Sequence, residues 1–140
     1  MSTLETLIRL HRWQVDERRR HVAELEGLAE KLHLELARLA EERRAEEAAA
    51  TASFEAQQAY PGYIRRALER QRTIERSKAE VEGQILQARD ALAEAFQELK
   101  RYEIASANRE RHRIHQANRR ERIETDAIAI ENFRRRAGGI

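Results

Sequence analysis

The sequence predicts an all-α protein, a long two-helix antiparallel coiled-coil hairpin with unequal arms. Three observations carry this reading. The 140 residues are 37% charged and only 5% aromatic, with no Cys. Apolar residues recur in heptads along two long stretches. A single Pro-Gly pair, Pro61-Gly62, stands between those stretches. The apolar residues are mostly Leu, Ile, Val and Ala set among Glu and Arg, the composition of helices packed along a narrow seam. A barrel, a sandwich or a nucleotide-binding α/β domain would need more large apolar side chains, because burial must offset the entropy of ordering the chain. At this length one coiled-coil domain over 1–140 is expected.

The first helix is expected over about 3–57. One of its rows is Ile8, Val15, Val22, Ala29, Leu36, Arg43, Ala50; the other is Leu4, His11, Arg18, Leu25, Leu32, Leu39, Glu46. Alternating steps of three and four keep both rows on one face, the signature of a coiled-coil seam. Ser2 with Glu5 three residues on fits a capping box, so the helix should begin at Thr3.

The seam weakens after Leu39, and Glu41 to Ala56 is helix-favouring with little to pack. Pro cannot sit inside a helix without breaking its ladder, so the turn is expected at about 58–62. The second helix is expected over about 62–136. Its rows are Ile64, Gln71, Lys78, Ile85, Leu92, Leu99 and Ala67, Ile74, Val81, Ala88, Ala95, Tyr102. Gly138-Gly139 supplies a natural stop. The two arms would then be on the order of 80 and 110 Å long.

Folding the hairpin at about residue 59 places Leu25 near Leu92, Leu32 near Ile85 and Leu36 near Val81. Leu4 falls near Ile114, and everything after about Gln116 has no partner within the chain. That overhang carries Ile123, Ala127, Ile130 and Phe133 at helix-face spacing, with Arg134, Arg135 and Arg136 at its end. From Arg109 to Arg136 nine arginines meet five acidic residues, a local charge of +4. A solvated tail is the plain reading. A docking segment for a groove or ring on another protein is the favoured one. Nucleic-acid or anionic-membrane binding is weakened by the interleaved Glu121, Glu124, Asp126 and Glu131.

Phe54, Tyr60 and Tyr63 cluster near the turn, where aromatics either close the hairpin or anchor an interface. Trp13 lies off the seam of the first helix. His112 and His115 could share a face, but two ligands do not make a metal site. There is no Gly-rich phosphate loop, and a two-helix seam offers no interior to desolvate a carboxylate. No enzyme, cofactor, metal or small-molecule substrate is expected. No apolar run reaches the length of a membrane span, and Met1 to Arg12 does not read as a signal peptide. A soluble cytoplasmic protein is the simplest expectation. The pI near 9.3 overstates its basicity, since the formal net charge is only +2.

The run Glu94-Ala95-Phe96-Gln97-Glu98-Leu99-Lys100-Arg101-Tyr102-Glu103, within 88–103, resembles the central second-helix segment of the FliJ family. These are coiled-coil components of the flagellar type III export apparatus. Phe96 and Tyr102 are unusual choices within such a helix and make this run the most specific part. The opening Leu4-Glu5-Thr6-Leu7-Ile8-Arg9-Leu10-His11-Arg12-Trp13 looks like the family's start. The close, Asp126-Ala127-Ile128-Ala129 with Phe133-Arg134-Arg135, is similar to its end.

The resemblance implies a non-enzymatic stalk or adaptor at the cytoplasmic face of the inner membrane, under the flagellar base. Its partners would be the hexameric export ATPase, the cytosolic ring of the export gate and export chaperones, with membrane association only through them. By that analogy Ile123, Ala127, Ile130, Phe133 and Arg134 to Arg136 would dock in the ATPase ring, with the N-terminal turn beside them. Phe54, Tyr60 and Tyr63 are nominated for the gate side. The hairpin would be monomeric and bind no nucleic acid. The alternatives are the equivalent stalk of a virulence-type secretion system, a general coiled-coil scaffold or a basic-tail nucleic-acid binder.

Overall fold

A computed structural model describes residues 2–138. Two helices make up the fold, α1 (Thr3–Ala49, 47 residues) and α2 (Phe54–Gly138, 85 residues), packed as a hairpin with unequal arms. The start of α1 is the expected capping box. Glu5 N donates to Ser2 Oγ at 3.1 Å, and Ser2 N donates to Glu5 Oε2 at 3.4 Å. Two amides that the helix itself cannot satisfy are thereby paired.

The turn lies at residues 50–53, not at 58–62, so α1 ends eight residues before the expected 57. Hydroxyls decide this. Thr51 Oγ1 donates to Ala48 O at 2.9 Å and Ala52 N to Ala49 O at 3.0 Å, closing off the end of α1. Ser53 then caps α2, its Oγ accepting from Ala56 N at 3.1 Å. Side chains of this kind offer the backbone an alternative to the helical ladder. Pro61 is accommodated inside α2, where its ring is exposed to solvent. The carbonyl of Gln57 loses its usual donor there, since Pro has no N–H. At its other end α2 runs two residues past the expected 136, ending on Gly138, the first residue of the anticipated Gly138-Gly139 stop; Gly139 lies outside the described residues.

The buried core is Ile8, Val15, Val22, Leu25 and Leu39 of α1 with Ala67, Ile74, Val81, Ile85, Ala88 and Leu99 of α2. Every one of these stands on a heptad row, so the seam is where the periodicity places it. Arg18 and Glu46 occupy seam positions but are exposed, as long charged side chains can be while their stems line the groove.

The chain divides into two compact units. One is Trp13–Phe96, which contains the turn. Within it Val22, Leu25, Val81, Ile85 and Ala88 form one cluster, with Leu32 and Leu92 against it. Leu39, Ala67 and Ile74 form a second cluster, joined by Leu36 and Tyr63. Leu25 with Leu92 and Leu32 with Ile85 thus share a cluster as expected, whereas Leu36 packs with the second cluster and Val81 with the first. Cross-arm polar contacts give the reason. Arg43 bonds Gln71 and Arg89 bonds Glu26, each α2 partner lying about one helical turn earlier than a fold at residue 59 requires.

The other unit is Met1–Arg12 with Gln97–Ile140, described over 2–12 and 97–138. Ile8 and Leu99 are buried within it.

Candidate functional site

In this second unit the start of α1 covers only part of α2. His11 stacks on Tyr102 with ring centroids 4.6 Å apart and planes at 21°. Arg12 Nε reaches Glu103 at 4.0 Å. Beyond them Ser2, Leu4 and Glu5 form an open cleft with Arg109, Arg113 and Gln116 of α2. Ile114, expected near Leu4, does not line this cleft and is 46% exposed. Arg113 clamps Glu110, donating from Nη2 at 2.7 Å and from Nε at 3.2 Å. The hydrogen bonds and the guanidinium charge hold the Glu110 carboxyl below its usual range and push Arg113 up.

From Ala107 to Gly138 every residue of α2 is exposed. Ile123 is 60% exposed, Ile130 57% and Phe133 73%, so the expected apolar face meets no other part of the described chain. Ile128, also exposed, points away from that face and was outside the sequence expectation; its spacing from Ile123 is not helical-face spacing. Arg134, Arg135 and Arg136 are exposed, and Arg135 reaches Glu131 at 3.5 Å.

The three aromatics near the turn part company. Phe54, the first residue of α2, is 73% exposed. Tyr60 is half-buried in a groove with Ala40, Arg43, Glu47 and Ile64. Tyr63 packs on the Leu39 cluster with its hydroxyl buried and unpartnered. Burial, then the carboxylates of Glu42 and Glu46, raises its pKa above the ordinary 10.0 against the opposing charge of Arg43. Two of the three therefore close the arms, and Phe54 is the one presented to solvent.

Trp13 is exposed off the seam. Among the described residues no group of three or more His, Cys, Asp or Glu side chains converges as a metal site would require.

These features define a class: a coiled-coil hairpin whose longer helix carries an uncovered apolar and basic end. A family model described as Flagellar FliJ protein matches residues 1–138, and the chain belongs to the FliJ family. It is a non-catalytic component of the flagellar export apparatus. Searches of curated proteins and of solved structures give no match. No described helix is long and apolar enough to cross a membrane.

Proposed function

We propose that this chain is a stalk or adaptor of the flagellar export apparatus, docking through the end of α2 into the export ATPase ring. The observation that carries the reading is the exposure of Ile123, Ile130 and Phe133 on a helix whose seam is covered only as far as Ser106. A lone helix with an apolar stripe is marginal in water and gains most by packing on a partner. Docking there would promote assembly or activity of the ATPase and link it to the export gate and export chaperones. Phe54 is the best candidate for a gate-side contact, since Tyr60 and Tyr63 are engaged between the arms. The protein would act as a monomeric hairpin at the cytoplasmic face of the inner membrane.

The test is the hydrolysis rate of the cognate export ATPase with full-length chain and with a chain ending at Gln116. Stimulation by the first alone is expected. Reversing Arg134, Arg135 and Arg136 to Glu should remove stimulation and leave helicity unchanged, because the arginines would meet acidic loops in the ring. Equal stimulation by the truncated chain would refute the docking end.

A further inference from the structure

The seam of α2 does not stop where α1 does. Ile123, Ala127 and Ile130 continue, at seven-residue steps, the rows that hold the buried Leu99 and the half-buried Tyr102. Arg120 and Arg134 stand on the same rows, one on each side of that apolar stretch. Both are exposed, and neither makes an ion pair or hydrogen bond among the described residues. This is an interface half built: six row positions from Arg120 to Ala137, set off from the α1–α2 contact by the polar row residues Ser106, Arg109, Arg113 and Gln116, with an arginine on either side of Ile123, Ala127 and Ile130 and no opposite wall among the described residues.

We propose that residues 117–138 are completed by one α-helix of a different protein. It would run antiparallel to α2, carry apolar residues against Ile123, Ala127 and Ile130, and place carboxylates opposite Arg120 and Arg134. The inference rests on the docking-end reading above and adds the partner's contact element and charge pattern.

A second copy of this chain fits poorly. Parallel pairing would stack Arg120 on Arg120 and Arg134 on Arg134 inside the seam. Antiparallel pairing in one register sets Ile123 against Arg134 and brings Glu124 near Glu131; the neighbouring register sets Ile130 against Arg120. Like charges across a seam are destabilising, and a guanidinium facing an isoleucine has no acceptor. A polyanion is opposed by Glu121, Glu124 and Glu131, which flank the same stretch. An acidic amphipathic helix satisfies both arginines and covers the apolar residues together.

The chain has no Cys, so a single Ala129→Cys, off both seam rows, accepts a fluorophore on the full-length protein. The probes are two synthetic three-heptad helices with Leu at the seam positions. One has Glu and the other Lys at the two positions that face Arg120 and Arg134. The expected result is saturable anisotropy with the Glu peptide, bound about ten-fold tighter than the Lys peptide. That preference should reverse in an Arg120→Glu/Arg134→Glu variant whose thermal melting is unchanged. No binding, equal binding of the two peptides, or a concentration-dependent dimer of the labelled chain by sedimentation would each overturn the proposal. Failure here alongside ATPase stimulation that still needs residues 117–138 removes this inference alone. Loss of that dependence removes the docking-end reading instead.

Discussion

Arg43 and Gln71 face each other across the seam, the guanidinium Nη1 donating to the amide oxygen at 2.7 Å. Gln71 in turn donates from Nε2 to Glu75 at 3.0 Å, so a half-buried polar layer interrupts the apolar packing. On α2 Gln71 stands between Ala67 and Ile74 of the Leu39 cluster, while Arg43 also lines the Tyr60 groove. Single polar layers in coiled coils commonly trade stability for a defined register.

The layer makes a two-part prediction. Gln71→Ala strands the Arg43 guanidinium and should cost about 1–2 kcal/mol in urea melts. The double variant Arg43→Leu/Gln71→Leu should instead melt higher but lose uniqueness, showing dimers or multiple species in sedimentation. A double variant that stays a single monomeric species would deny the layer its register role.

A second prediction concerns the turn. Ser53→Ala removes the cap of α2 and should cost about 1 kcal/mol. Pro61→Ala restores a donor to Gln57 O inside the helix and should gain about 1–2 kcal/mol. Thermal melts of both variants decide the matter. A neutral Ser53→Ala with a destabilising Pro61→Ala would move the turn back to 58–62.

Tyr63 supplies a pH dependence. Its hydroxyl ionises at higher pH when folded than when unfolded, so this site contributes stability that is complete below the ordinary 10.0 and is lost as pH rises through the folded value. Tyrosinate absorbance should contain a phase above the ordinary 10.0 that Tyr63→Phe abolishes. Because the hydroxyl has no partner, the same substitution should leave the melting temperature unchanged or raised.

The seam and the overhang should respond oppositely to truncation. Ile85→Ala opens the larger cluster and should cost about 2–4 kcal/mol. Ile123→Ala, on the uncovered stretch, should change stability by less than about 0.5 kcal/mol. Equal losses measured by denaturant unfolding would mean that the overhang packs on something within the chain.

Much of this was readable in the residues. Heptad position alone selects the whole buried core from Ile8 to Leu99, because a two-helix contact has only one apolar seam to fill. Ser2 and Glu5 fix the start of α1 through a local rule that needs no tertiary context. The turn was harder, since Pro61 is the loudest local signal and Thr51 and Ser53 act through hydrogen bonds whose geometry composition does not encode. Leu36 parts from Val81 because the arms pair about one helical turn out of the register that a fold at residue 59 requires. The split among Phe54, Tyr60 and Tyr63 followed the same register, so their type predicted a cluster but not which of them faces solvent.

The central claim is that the end of α2 is a docking segment, and amide hydrogen exchange with and without the cognate export ATPase tests it most directly. Residues 117–138 should exchange quickly in the free protein, as an uncovered helix does, and slowly in the complex. Amides around Val22, Leu25, Val81 and Ile85 should be protected in both states. A complex that forms while 117–138 keeps its fast exchange would contradict the account.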